Sequence, residues 1–221
     1  MRIYPENWSD MSDHVIHFTK GSDDDDGYKR MTSILFSGSL IPERRFGIAR
    51  KTAPDRTNQE AVCFSEIPPG EWGRLQNRRK TKYGIGFRKD ILLRDGGGPI
   101  WYAWKDTQHW KALKELMDAA SGDHNAPIWK ITAMIDAPGD YGSQSYFFDW
   151  EREWRFNGSY KFHPEDVSFL LIPEKHHKAA RNFFHTALHE NLGPAYFCPF
   201  IDPSWCKERI QDSLRDSGIK K

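Results

Sequence analysis

Between Asp149 and Arg155 the chain reads DWEREWR, with acids and bases interleaved with two tryptophans. In an extended chain Glu151, Glu153 and Arg155 point to one side, and Trp150, Arg152, Trp154 and Phe156 to the other. Successive members of a side then lie about 7 Å apart. With the aromatic side in a core, the opposite side presents carboxylate, carboxylate and guanidinium. Carboxylates this close raise each other's pKa, and an arginine beside them keeps one ionised. Such a trio suits a general base, or a charge that stabilises an oxocarbenium-like centre. The alternative is a clamp in which Arg155 and Glu153 pair with other charges to fix a sheet.

Two further stretches offer polar side chains at strand spacing. In DHVIHFTK (13–20), His17 and Thr19 share one face and Phe18 takes the other. That pair could hold a sugar hydroxyl or an amide, and a core histidine bonded to a backbone carbonyl fits the strand equally well. In EAVCFSEIPP (60–69), Cys63 and Ser65 share a face, and Glu66 sits at the strand end, where a carboxylate can look into a cleft.

Other motifs speak against common sites. YGIGF and DGGGP match neither a P-loop nor a dinucleotide fingerprint. Glycines within a strand instead mark a bulge or a close approach by backbone or ligand. His185 and His189 stand four residues apart, but HTALH lacks the glutamate of HExxH, and solvated helix histidines are the expectation. The acidic run Asp23–Asp26 reads as a solvated loop tip, because consecutive carboxylates do not converge readily on one ion. No metal site is expected.

The elements that must position these residues read as one α+β domain over 1–221, with a mixed or antiparallel twisted sheet, flanking helices and a helical extension over 174–221. Strands are expected at 13–20, 60–69, around YGIGFRKD, at 100–104, at 128–136, through FFDWEREWRF and at 166–173. Helices are expected over YKRMTSILFSGSL, stopping at Gly38, and over 107–121, 175–191 and 204–215. The 221 residues include nine Trp and 14% aromatics, enough for a sizeable core. Lys+Arg number 32 against 31 Asp+Glu, which does not suggest a dedicated nucleic-acid binder. Local patches remain open: Arg44, Arg45, Arg50, Arg74, Arg78, Arg79 and Lys80 could contact phosphates or act as solvated surface. Three cysteines without CxxC spacing fit reduced thiols in a cytosol. The mean hydropathy is −0.75, no apolar run reaches the roughly 20 residues of a membrane span, and MRIYPENWSD lacks a signal-peptide core. A cytoplasmic protein without membrane association is the expectation.

HFT, ILFSGSL, VCFSEIP, YGIGFRK, PIWY and EREWR, in this order over roughly residues 14–173, resemble a bacterial abortive-infection family, the AbiGi-like proteins. Glu66 stands where that family commonly carries a shorter acid. The resemblance implies antiviral phage defence, often as half of a toxin–antitoxin pair, with a cognate protein or a phage component as partner. It implies no particular reaction. A second resemblance concerns the ADP-ribosyltransferases, which carry a first-strand His, a middle-strand Ser or Tyr and a last-strand Glu, often as E-x-E. His17, then Ser65 or Tyr83, then Glu151 and Glu153 follow that order, without a separate Ser-Thr-Ser motif. This likeness implies that NAD is the substrate. His17 and Thr19 would contact it, Tyr83 or Tyr102 would stack on nicotinamide, and Glu153 would stabilise the centre at C1′. The leading expectation is a phage-defence protein that transfers ADP-ribose from NAD or hydrolyses it in a cleft formed by His17, Glu66, Glu153 and Arg155. The alternatives are a non-enzymatic antitoxin or nucleotide sensor, and an RNA-binding or RNA-cleaving protein.

Overall fold

The computed structural model describes residues 11–20, 24–73 and 80–216. The fold is mixed α+β, with mostly antiparallel strand pairing and flanking helices. The chain forms two compact units. One takes the described residues up to Ser39, Phe64–Arg94 and those from Lys161 onward; the other takes Leu40–Cys63 and Asp95–Tyr160. The chain crosses between them at β2 (Ser39–Leu40), inside β3 (Ala61–Ser65), after Arg94, and inside β11 (Tyr160–Lys161).

In the first unit, β1 (His14–Phe18) lies antiparallel to β4 (Gly84–Arg88), from His14↔Arg88 to Phe18↔Gly84, and Ile16 pairs with Ser65 of β3. Val15 and Ile16 are both buried, so both faces of β1 are covered. β4 pairs on its other side with antiparallel β12 (Val167–Leu171), which takes β13 (Phe200–Ile201) in parallel. The segment after residue 173 therefore adds a strand as well as the helices α5 (His177–His189) and α6 (Lys207–Asp216). The two glycines of YGIGF have a packing cause. A Cβ on Gly86 would collide with the Phe169 ring, and the irregular register falls on β12, between Val167 and Phe169. Gly86→Ala is expected to destabilise the protein by about 1–3 kcal/mol, the usual range for overpacking, as read by urea unfolding.

The helix α1 (Asp24–Ser37) starts inside the acidic run rather than after it. Asp23 lies outside the described residues, while Asp25 and Asp26 occupy the first turn, where the helix dipole favours negative charge. Met31 and Leu35 form the buried stripe, and Gly38 ends the helix at φ 59°, its N–H reaching Ile34 O. α2 (Lys89–Arg94) follows β4 directly. Burial pushes the His14 imidazole down to about 4, with Asp13 opposing and Arg88 assisting. A histidine kept neutral in the fold supports stability fully above its unfolded pKa near 6.5, and that support is lost as pH falls toward 4. Between pH 7.5 and 4.5 the loss from this group is expected to be about 2 kcal/mol. His14→Gln should remove that part of the pH dependence of the melting temperature.

In the second unit, α3 (Gln108–Ala119) begins as expected, with the Thr107 hydroxyl accepting from Trp110 N at 3.4 Å. Leu113 and Met117 are buried, whereas Leu116 is exposed. The expected strand at 128–136 is a different structure: α4 (Ile128–Ile131), a 3-10 turn over Thr132–Met134, and only Ile135–Asp136 extended as β7. Its β-branched residues suggest a strand, but its backbone is satisfied without a ladder. The Trp129 carbonyl accepts from the fully buried Gln59 amide, and the Trp129 indole donates to Asp123 O. β5 (Gly98–Pro99), β6 (Trp101–Tyr102), the hairpin of β8 (Gly139–Tyr141) with β9 (Gln144–Tyr146), and β10 (Glu153–Asn157) complete this unit. No helix among the described residues is long and apolar enough to cross a membrane.

Candidate functional site

The DWEREWR stretch is not extended throughout. Asp149–Glu151 forms a 3-10 turn, Arg152 takes a left-handed backbone at φ 45°, and β10 begins only at Glu153. Glu151 is therefore out of register with the strand and buried in the turn, so the expected row of three is a pair. Glu153 and Arg155 do share a face. Arg155 Nε donates to Glu153 Oε1 at 2.9 Å and Nη2 to Oε2 at 3.1 Å, a two-pronged pair. β10 is fixed by β5, through Trp154↔Pro99 and Arg155↔Gly98, with Trp154 buried on the other face.

The polar face is buried as well. Arg155 is only 1% exposed, and its guanidinium also donates to the Asp136 carboxylate and to Ala133 O. It lies over the Phe46 ring, 4.7 Å from the centroid. Burial opposes its charge, but Glu153 and Asp136 more than compensate, and the net shift holds Arg155 charged. Parallel pairing of β6 with β7 sets Tyr102 opposite Asp136. The Tyr102 hydroxyl accepts from Glu153 N at 3.0 Å. The β8–β9 hairpin returns Tyr146, whose hydroxyl donates to Asp136 Oδ2 at 2.9 Å. Burial pushes both phenols up, so they act as neutral hydrogen-bonding groups rather than bases. Burial also pushes the Cys63 thiol well up beside Glu153 and Arg155, which leaves no thiolate nucleophile there.

Glu153, Arg155 and Tyr102 are thus brought together, and Asp136, Tyr146 and Phe46 join them unanticipated. Asp136 was hidden because its stretch reads as a strand interior. Phe46 lies in a loop without pattern.

The other sequence candidates belong to the first unit and carry structural contacts there. The Thr19 hydroxyl donates to Gly27 O at 3.0 Å, and Thr19 N donates to Tyr83 O. Tyr83 is buried with its ring tilted against Tyr28, 5.5 Å between centroids, rather than presenting a stacking face. Ser65 is buried in β3. Glu66 does not look into an opening, because it is buried in an ion pair with the fully buried Lys89. His17 is half-buried, edge-on to Phe64 at 5.9 Å. Of the basic loop residues, Arg44, Arg45 and Arg50 lie in the second unit and Lys80 in the first, while Arg74, Arg78 and Arg79 fall outside the described residues. No family model, no curated protein and no solved structure matches this chain.

Proposed function

We propose that the protein is a phage-defence protein of the abortive-infection class that acts on NAD, as an ADP-ribosyltransferase or NAD glycohydrolase, with Glu153 as the working carboxylate. The supporting observation is the charge of the Arg155 cluster. Asp136 and Glu153 set two carboxylates against one guanidinium, a formal excess of one negative charge over these three groups. A low-dielectric, fixed excess of this sign favours a cation placed beside it. NAD supplies one twice over: its pyridinium is cationic in the ground state, and the positive charge moves to C1′ as the glycosidic bond breaks. Nicotinamide leaves with the bonding pair. Water or an acceptor nucleophile then bonds to C1′ and releases its proton. Arg155 is a positioning residue in this scheme, holding both oxygens of Glu153 in one orientation. Expression of the protein alone should deplete cellular NAD or add ADP-ribose to a target, and should arrest growth. Harmless expression with unchanged nucleotide pools would favour the antitoxin or sensor alternative.

A further inference from the structure

The loop between β2 and the 3-10 turn Arg56–Gln59, with Glu60 after that turn, builds a concavity of about 400 Å³ in the second unit. Its lining includes Arg44, Arg45, Arg50 and Lys51 against Glu43 and Glu60. Four cations against two acids leave a formal excess of two positive charges. Arg45 is loosely paired with Glu60 at 3.8 Å. Arg50 spends one N–H on Gly47 O at 3.1 Å, and Arg44 lies over the Phe46 ring at 5.3 Å. Among the described residues, Arg44, Arg50 and Lys51 have no carboxylate partner. Surface cations are ordinarily dispersed or paired; here three without a carboxylate partner line one hollow.

We infer that this hollow is a binding site for the diphosphate of a mononucleotide-sized ligand. The volume is that of a small-molecule site rather than of a strand-length groove. The excess of positive charge matches a diphosphate, and the arginines offer planar forks suited to phosphate oxygens. The same unit offers an aromatic surface in Tyr141, 44% exposed with Lys105 over its ring at 5.1 Å. Phe46 links the hollow to the candidate site, since its ring carries Arg44 as well as Arg155. In the NAD reading this is the pyrophosphate site, but phosphate binding itself does not depend on that reading.

Isothermal titration of the full chain with ADP-ribose, inorganic pyrophosphate and a short oligouridylate tests the assignment. ADP-ribose and pyrophosphate are expected to bind, and the double variant Arg50→Gln/Lys51→Gln to weaken both at least about tenfold, as loss of charge-assisted hydrogen bonds requires. Glu43→Gln, which removes an acid from the hollow, should tighten both. An unchanged affinity in the double variant, or no binding of either phosphate ligand, overturns the site. Tighter binding of the oligouridylate than of ADP-ribose overturns the mononucleotide assignment in favour of nucleic-acid phosphate. Phosphate binding without NAD turnover would leave this site standing and remove the proposed reaction; NAD turnover indifferent to the double variant would leave the reaction standing and remove the hollow as the pyrophosphate site of NAD.

Discussion

Arg155→Ala is expected to lower the unfolding free energy by about 3–5 kcal/mol, the range seen when one partner of a buried ion pair is removed. The side chain is 1% exposed and the Asp136 side chain 4%, so the truncation strands a buried carboxylate that keeps the Tyr146 hydroxyl as its side-chain donor among the described residues. It also leaves Ala133 O without its donor and the Phe46 ring without its cation. Arg155→Lys should recover only part of the loss, because an ammonium cannot reach Glu153 by two prongs while also serving Asp136 and Ala133 O. Equilibrium urea denaturation of the three proteins checks the order. Wild-type stability in Arg155→Ala would mean that the guanidinium holds nothing together.

Glu153→Gln should separate stability from activity. The amide oxygen can still accept from Arg155, and Arg155 keeps Asp136, so a stability loss of about 1–2 kcal/mol is expected. The change removes the excess negative charge from the cluster. If that charge stabilises the cation at C1′, NAD turnover should fall by about 10²–10³-fold, the usual effect of deleting one preorganised electrostatic group. A pure clamp would give a variant whose turnover falls only as far as its folded fraction.

Arg155 is a clamp by its burial, and what it clamps is Glu153, the carboxylate proposed to act on NAD. Sequence periodicity made much of this legible. Alternation in EWRF put Glu153 and Arg155 on one face and Trp154 on the other, and β10 keeps that arrangement. The same alternation failed immediately before Glu153, because the left-handed Arg152 breaks the strand and sends Glu151 into a turn. Nothing in a two-residue period announces such a break. At 128–136 a β-branched run folded as short helical turns because the buried Gln59, about seventy residues away in sequence, meets its carbonyl. Glu66 has the position expected of a strand-end carboxylate, but its partner Lys89 enters from the helix after another strand. Long-range partners of this kind decide whether a polar side chain faces ligand or protein, and one sequence carries no mark of them.

Nicotinamide release from NAD by wild-type and Glu153→Gln proteins, with melting temperatures taken on the same preparations, tests the central claim most directly. The expected result is measurable release by the wild type and a loss of at least about a hundredfold in a Glu153→Gln protein that remains folded. Equal release by the two folded proteins, or none by the wild type, would contradict it.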